Sequence, residues 1–419
     1  MAFSIKRAAF MAVGGYLAFL FYGAVPKNIN ERFKYRAVQA FSKFLNHVVY
    51  VGYFTDPDSP RGIIRFRETW AATEIFFRSG ESYGPDVKMT KVLADGVNVN
   101  IYSPPGHTDS LLPGFIYIHG GALALCDVEH YDGLTRKLSA GLNAVVMSID
   151  YRRTPENIFS VPFDDSLKAT KWFMKHAKDY NVDANRIAMG GDSAGGYLTA
   201  TVSQAVSDDK SIPNLKLQVL IYPWLQTLDL NTPSYQKYNY EFGSGGIMPL
   251  HKLAIYSALH LFGENTDKSV VEAYTKNEHV SAGFRNSKFY KERLSHSLIP
   301  ESLRNPVFYT APPDPVEEPS HGSSVWDAKK DIFQDERMTP LFRKNLSGLP
   351  PAYIITMEYD PIRDDGIIYA KLLEKAGVNV TWKNYEKGFH GIVWVSPGID
   401  FKDGDGIFQE MIQYIKPRL

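Results

Sequence analysis

Several kinds of residue and motif are scarce in this chain of 419 residues. It has one cysteine, Cys126, so no disulfide can form within it, and its 46 basic and 46 acidic residues leave no net charge. No basic cluster is interleaved with aromatic residues, which argues against a nucleic-acid partner. No CxxC or HExxH pattern offers metal ligands, and repeats and low-complexity segments are missing. We therefore expect a globular protein that needs no metal or other cofactor.

Charged residues are also missing from the stretch 8–25, which follows Lys6 and Arg7. Eighteen helical residues at 1.5 Å each span about 27 Å, enough for the hydrocarbon core of a bilayer. Because Tyr22-Gly23-Ala24 is a poor cleavage site, a retained signal anchor is favoured over a cleaved signal peptide. The orientation stays open, since counting basic residues on both sides would keep the rest of the chain in the cytosol.

The most informative pattern that is present surrounds Ser193. The sequence Gly191-Asp192-Ser193-Ala194-Gly195 follows the apolar run 186–189 and precedes helix-forming residues. G-x-S-x-G between a strand and a helix predicts a sharp turn that exposes the serine, with the helix N-terminus behind it. The flanking glycines permit that turn and the close approach of a substrate. Ser193 is thus the predicted nucleophile; the alternative is a glycine-rich turn with a solvated serine.

A second loop supplies hydrogen-bond donors for the predicted reaction. The apolar run 115–118 leads into His119-Gly120-Gly121-Ala122, a strand followed by a turn rich in glycine. Backbone N–H groups of such a loop, together with that of Ala194, would stabilise the oxyanion that forms when serine attacks an acyl group. We interpret His119 as structural and the nearby Cys126 as a packed, unreactive thiol.

The base and its orienting acid are expected after the serine, in the order acid and then histidine. The strand 352–358 ends just before Asp360, and the strand 378–385 leads towards Phe389-His390-Gly391. Both loops would lie at the C-terminal edge of the sheet, where open α/β sheets bind ligands. Asp364 and Asp365 are predicted to begin a helix. Three other histidines lie in polar segments and are predicted to be surface residues, namely His279, His296 and His321.

Together these motifs resemble the hormone-sensitive-lipase (GDXG) branch of the α/β-hydrolases, and most of all the subgroup of arylacetamide deacetylases and neutral cholesterol ester hydrolases. The resemblance rests on five motifs in order, namely His119 to Ala122, Tyr151 to Glu156, the GDSAGG run around Ser193, Asp360 to Gly366, and Phe389 to Gly391. It implies a mostly parallel central sheet with helices on both faces and a helical cap. It also implies the triad Ser193, Asp360 and His390, with Gly120, Gly121 and Ala194 as oxyanion donors. Three features depart from the family: Ala122 replaces the third glycine, Leu123 replaces the aromatic residue often found next, and Arg153-Thr154 replaces Leu-Ala.

The resemblance implies a membrane-anchored serine carboxylesterase or lipase for lipophilic esters. An amidase that deacetylates aryl amides with the same triad is the alternative, and a non-catalytic receptor is a remote one. The resemblance also favours the endoplasmic reticulum membrane, with the catalytic body in the lumen. Two sequons would permit glycosylation there. We favour Asn345 over Asn379, because Asn379 falls in a predicted core strand. The motifs do not indicate an oligomeric state.

Five segments describe the predicted organisation. Strands and helices alternate in the two parts of the core, as a parallel sheet requires. The two segments outside it are rich in Phe and Tyr, so we expect them to form a cap over an apolar pocket. The segments are a cytosolic tip and anchor (1–26), a helical cap segment (27–84), the first part of the core (85–223), a cap insertion (224–345) and the second part of the core (346–419).

Overall fold

An eight-stranded sheet forms the centre of the computed structural model, which describes residues 13–71, 86–106, 110–243, 246–318 and 324–419. The strands lie in the order β1-β2-β4-β3-β5-β6-β7-β8. Only the β1–β2 and β2–β4 pairs are antiparallel, so the prediction of a mostly parallel sheet is confirmed. The strands are β1 (Lys88–Ala94), β2 (Val97–Ser103), β3 (Leu112–Ile118), β4 (Val145–Asp150), β5 (Val182–Asp192), β6 (Gln218–Ile221), β7 (Ala352–Tyr359) and β8 (Val380–Phe389).

One of these strands, β1, was not predicted from the sequence. Most of its side chains are exposed or half-buried, and it pairs only with β2 at the edge of the sheet. An edge strand with little burial lacks the apolar run by which the inner strands are recognised. The inner strands, β3 to β6, are almost wholly buried over their C-terminal halves, which places the apolar core on both sides of the sheet.

The helices that accompany the sheet form two groups, as a sheet covered on both faces requires. Helices α4 and α5 contact each other, while α3, α13 and α14 pack together. Helix α12 joins β7 to β8. The bounds are α3 (Asp132–Leu142), α4 (Val161–Lys175), α5 (Ala194–Asp208), α12 (Arg363–Lys375), α13 (Ile392–Ile399) and α14 (Lys402–Ile415).

The remaining helices belong to the two segments outside the core. The segment 27–84, predicted to be helical, contains α1 and α2, and its residues 72–84 lie outside the described part of the chain. The described residues of the insertion 224–345 form six short α-helices. The bounds are α1 (Arg32–Tyr53), α2 (Pro60–Ala71), α6 (Pro233–Phe242), α7 (Leu250–Phe262), α8 (Lys268–Thr275), α9 (Ala282–Arg285), α10 (Lys288–Leu294) and α11 (Ser324–Phe333).

The N-terminal part of the predicted membrane span, residues 8–12, lies outside the described residues. Residues 13–21 are helical, and the chain leaves the helix before Pro26. Within the described ranges, no helix combines the length and apolar character that crossing a bilayer would demand.

Two histidines predicted to be on the surface are buried within the insertion, so that prediction is wrong. His279 stacks on Tyr274 at a centroid distance of 4.0 Å, and burial lowers the pKa of its imidazole to about 3. His296 lies with its Nε2 2.9 Å from Oδ2 of the buried Asp229. Polar neighbours in sequence suggested exposure, but the short helices of the insertion fold these side chains inward. His321 lies outside the described residues.

Candidate active site

Ser193 occupies the sharp turn predicted between β5 and α5. Its φ of 55° and ψ of −120° are rarely adopted by L-residues, and such a strained conformation costs about 1–3 kcal/mol. Its N–H donates to the carbonyl of Ile221 on β6 at 2.9 Å, which fixes the turn to the sheet. The turn also needs glycine at Gly195, where a Cβ atom would lie 2.0 Å from the carbonyl oxygen of Ile118. The strand–turn–helix context therefore holds Ser193 in a strained conformation.

The three predicted triad side chains come together in one hydrogen-bonded chain. His390 Nε2 lies 2.9 Å from Ser193 Oγ, and His390 Nδ1 lies 2.8 Å from Asp360 Oδ2. The other carboxylate oxygen of Asp360 accepts the N–H of Ile362 at 3.0 Å. All three side chains are buried, with Ser193 6% and His390 8% exposed. This is the geometry of a nucleophile, a base and an acid that orients the base.

The sheet register explains why residues so distant in sequence meet. Asp360 follows the last residue of β7 and His390 follows the last residue of β8. These last residues, Tyr359 and Phe389, are paired across the two neighbouring parallel strands. The carboxyl ends of parallel strands share one edge of the sheet, so both loops reach the same place.

The loop after β3 differs in one respect from the prediction. The N–H of Gly120 donates to Asp192 Oδ1 at 3.0 Å and to Tyr131 Oη at 3.1 Å, so it is not available to an oxyanion. The predicted donor role of Gly120 is therefore wrong for this arrangement. In contrast, no hydrogen bond among the described residues uses the N–H of Gly121, Ala122 or Ala194. Ala122 thus joins Gly121 and Ala194 as a candidate donor.

The carboxylate of Asp192, next to the nucleophile, organises this loop. Besides the Gly120 N–H, it accepts the hydroxyl groups of Tyr117 at 2.9 Å and Tyr131 at 2.8 Å. Burial raises the pKa of Asp192 to about 6, although these three donors and His390 oppose the shift. The sequence motif includes Asp192, but it carries no signal for the two tyrosines. They are found only because β3 and the start of α3 approach the end of β5.

Two consecutive non-glycine residues of the loop have positive φ, 54° at Ala122 and 61° at Leu123. Each such conformation costs an L-residue about 1–2 kcal/mol. The carbonyl groups that follow are held from outside the loop. Thr154 N–H donates to Leu123 O at 2.8 Å, Arg153 Nη1 to Cys126 O at 3.0 Å, and Arg67 Nη1 to Ala124 O at 3.2 Å. Two of the departures from the family pattern, Leu123 and Thr154, are thus in direct contact, and Arg67 of α2 binds the same loop.

Two side chains near this loop lack the surroundings of reactive groups. His119 stacks on Tyr151 at 4.3 Å, and its Nδ1 donates to the carbonyl of Gly120 at 2.8 Å. Burial lowers the pKa of His119 to about 3, so the imidazole is neutral at physiological pH. Burial raises the pKa of the Cys126 thiol well above its usual range, which keeps it protonated. Both observations agree with the structural roles predicted for these residues.

The pocket that contains Ser193 and His390 has a volume of about 640 Å³ and is lined mainly by apolar side chains. Both segments outside the core contribute to it. From the N-terminal segment come Ala37, Val38, Phe41, Phe66 and Trp70; from the insertion come Ile247, Met248, Lys252 and Tyr256; and from α13 come Trp394, Val395 and Ile399. A larger open depression of about 930 Å³, lined in part by Asn345, contains no triad member.

Lys252 joins the two segments that line the pocket. It is buried, and its Nζ lies 2.5 Å from Asp58 Oδ1, in the loop between α1 and α2. Within the described ranges, no three carboxylate, imidazole or thiol groups lie together as a metal site would require.

Both predicted glycosylation sites are exposed. Asn345 Oδ1 accepts the N–H of Ser347 at 2.9 Å in a surface turn. Asn379 lies one residue before β8 and is exposed, although its carbonyl accepts the N–H of Ala352. The prediction that Asn379 lies within a core strand is therefore wrong, and exposure does not favour one sequon over the other.

Comparison with known proteins agrees with this geometry. A family model described as the alpha/beta hydrolase fold matches residues 115–286 and 314–394. The neutral cholesterol ester hydrolase 1 of Rattus norvegicus is 39% identical over 332 residues, covering 75% of this chain and 76% of that protein. The arylacetamide deacetylase of Oryctolagus cuniculus is 32% identical over 419 residues, covering 98% and 99%. The structure of an esterase from Pyrobaculum calidifontis superposes with a TM-score of 0.59 at 26% identity, covering 85% and 92%.

Proposed function

The chain belongs to the α/β-hydrolase family and is a serine ester hydrolase, and we propose that Ser193, Asp360 and His390 hydrolyse lipophilic carboxylic esters. One observation carries the proposal: the hydrogen-bonded chain from Asp360 through His390 to Ser193 opens into an apolar cavity. A receptor would not need a base held 2.9 Å from a strained serine.

The proposed reaction follows from the positions of these groups. His390 Nε2 takes the proton of Ser193 Oγ as the oxygen attacks the ester carbonyl carbon, and Asp360 stabilises the imidazolium that forms. His390 then gives this proton to the departing alcohol, which leaves an acyl group on Ser193. A water molecule attacks the acyl carbon and gives its proton to His390, which returns it to Ser193 as the acid departs. Each backbone donor to the oxyanion contributes roughly 3 kcal/mol in the transition state.

The cavity supports a substrate with an apolar acyl or alcohol portion. Aromatic rings of Phe41, Trp70 and Trp394 line it close to the triad. The two relatives named above act, by their names, on cholesterol esters and on an arylacetamide, so an aryl amide is the second candidate. An ester and an amide of the same acid differ only in the leaving group, so the same triad would serve both.

Hydrolysis of p-nitrophenyl esters with acyl chains of increasing length tests the proposal. We expect turnover that depends on Ser193, with an optimum at the chain length that fills the cavity. Ser193→Ala and a serine-directed phosphonate should both abolish it, whereas the folded variant should keep its melting temperature. Turnover by Ser193→Ala at the wild-type rate would overturn the assignment. Matched ester and amide substrates with the same acyl group, compared by kcat/KM, decide between the two leaving groups.

We also propose that residues 8–25 anchor the chain in the endoplasmic reticulum membrane with the catalytic body in the lumen. The uncharged stretch and the two exposed sequons support this. Protease protection of the body in sealed microsomes tests the orientation. A mobility shift removed by Asn345→Gln or by Asn379→Gln would identify the glycosylated residue. Digestion of the body in intact microsomes would contradict the lumenal orientation.

A further inference from the structure

Exposed large apolar side chains are concentrated in one part of this molecule. Of the fifteen in the described residues, eleven lie between residues 13 and 54, on the helical residues 13–21, the link after them, α1 and Phe54 at its end. Phe54 is 93% exposed, Tyr22 82% and Phe33 75%. Single exposed apolar residues are ordinary, but a contiguous group marks an interaction surface. We call the group formed by Tyr22, Phe33, Phe44, Tyr50, Val51 and Phe54 the outer face.

The spacing along α1 separates this outer face from the buried side of the helix. At about 100° per residue, Phe33, Phe44 and Val51 fall within about 20° of one another. The opposite side carries Tyr35 and Val49, which are fully buried. The preceding helical residues continue the surface, because the ring of Phe21 lies 6.4 Å from that of Phe33. Phe33, Phe44 and Val51 therefore lie along one side of α1, and Phe21 extends this side at the N-terminal end.

The same helix forms a wall of the substrate cavity. Ala37, Val38 and Phe41 line the pocket that contains Ser193, and they lie on α1 between the residues of the outer face. By the same spacing, Ala37 and Phe41 lie about 40° and 80° around the helix from Phe33, so the wall of the cavity adjoins the outer face. A molecule that rests against the outer face is already next to the wall of the pocket.

The charge of this region differs from that of the whole chain. Between residues 27 and 54 there are five basic residues and one acidic residue, whereas the complete chain has no net charge. Apolar rings with basic side chains around them fit the surface of a bilayer that contains anionic lipids. The uncharged stretch 8–25 runs directly into this region, which keeps the outer face close to any membrane that the stretch enters.

We propose that the outer face lies on the surface of an anionic lipid bilayer, so that a lipophilic ester passes from the bilayer into the pocket beside α1. The bilayer contact stands on the exposure and charge of α1, whereas the passage of substrate rests on the proposed esterase function. Inserting Phe44 and Phe54 into lipid would bury two phenyl side chains, and each is worth more than about a factor of ten in partitioning.

The first experiment tests the contact without turnover. Cys126 is the only cysteine and is buried, so Phe54→Cys can be labelled selectively with an environment-sensitive fluorophore. The full chain carrying this label is reconstituted in vesicles of phosphatidylcholine and phosphatidylserine. We expect a blue-shifted emission that brominated lipids quench, and neither effect at Val307→Cys, a matched exposed position far along the chain. Equal emission at the two positions would overturn the contact. Energy transfer between labelled chains that survives dilution into excess lipid would show a second copy on this surface and would also overturn it.

The second experiment tests the passage of substrate. The variant Phe44→Asp/Phe54→Asp is compared with the control Tyr240→Asp/Val307→Asp, both as the full chain in the same vesicles. We expect the first variant to lose at least about tenfold in kcat/KM on an ester held in the bilayer, and to keep the wild-type value on soluble p-nitrophenyl acetate. The control should keep both values. Equal loss in the two variants would overturn the proposed route. If the wild-type chain cleaves neither ester, the esterase function fails while the first experiment still decides the contact.

Discussion

Replacing Arg67 by Met is expected to slow turnover without weakening substrate binding. Arg67 lies on α2, outside the hydrolase core, yet its Nη1 donates to Ala124 O at 3.2 Å and to Thr154 O at 3.1 Å. Its Nη2 pairs with Glu156. It therefore connects the N-terminal segment to the loop whose backbone would bind the oxyanion. It does not line the pocket, so it touches no substrate.

The magnitude follows from these contacts. A hydrogen bond from a charged donor contributes about 1.5–3 kcal/mol, so the loop would lose roughly 3 kcal/mol of anchoring. The anchoring matters because Ala122 and Leu123 have positive φ and relax if the carbonyl groups beyond them are released. A well-placed oxyanion donor stabilises the transition state by about 3–4 kcal/mol. Losing half of that free energy corresponds to a roughly tenfold lower kcat. We expect KM for p-nitrophenyl acetate to change less than about threefold, since the contacts that bind substrate and transition state equally are unchanged.

Steady-state kinetics of three variants test this reasoning. Arg65→Met is the matched control, because Arg65 lies on the same helix and pairs with Glu68 at the surface. The double variant Ala122→Gly/Arg67→Met should lose less than Arg67→Met alone, since glycine adopts positive φ without strain. An equal kcat for Arg67→Met and Arg65→Met would refute the reasoning, and so would a double variant with a kcat no higher than that of Arg67→Met alone.

Three further predictions concern the site and its supports. Asp360→Asn should lower kcat about 10³- to 10⁴-fold while the chain stays folded, because the amide would favour the wrong tautomer of His390; a loss below tenfold in the ester assay would contradict this role. Asp192 has a pKa of about 6 in the folded chain against an ordinary value of 3.8, so the folded state holds this proton more tightly than the unfolded state. The free energy of unfolding should therefore fall by up to roughly 3 kcal/mol as the pH rises from about 4 to 6. In urea unfolding, Asp192→Asn should reduce this fall, and an unchanged pH dependence would count against the assignment. Gly195→Ala should remove activity and destabilise the chain, because the new Cβ would lie 2.0 Å from Ile118 O. Gly406→Ala, in open space on α14, should stabilise the chain by about 0.5–1 kcal/mol. Equal melting temperatures of the two variants would argue against tight packing of the turn at Ser193.

Much of the core could be predicted from the sequence because its signals are local. Buried parallel strands are continuous apolar runs, and such runs in β5 and β7 lie just before Ser193 and Asp360. His390 follows β8, which is largely half-buried and polar, so it was recognised by its order in the chain and its Phe-His-Gly loop. The edge strand β1 was not predicted, because its side chains are mostly exposed or half-buried. His279 and His296 were misplaced because burial in the insertion depends on distant helices and not on neighbouring residues.

The sequence by itself determined the candidates for the proposed chemistry: a serine in a turn that flanking glycines permit, and an acid and a histidine in the order that the reaction needs. Tertiary structure alone decided which backbone N–H groups are free to donate to an oxyanion. Gly120 was the natural candidate from the motif, but Asp192 and Tyr131 take its N–H, and this leaves Ala122 in its place. Likewise, Arg67 contacts the loop, and α1 lines the pocket beside the outer face, only in the folded chain. Hydrogen bonds and burial depend on atoms brought together from remote positions, and no local pattern records that proximity.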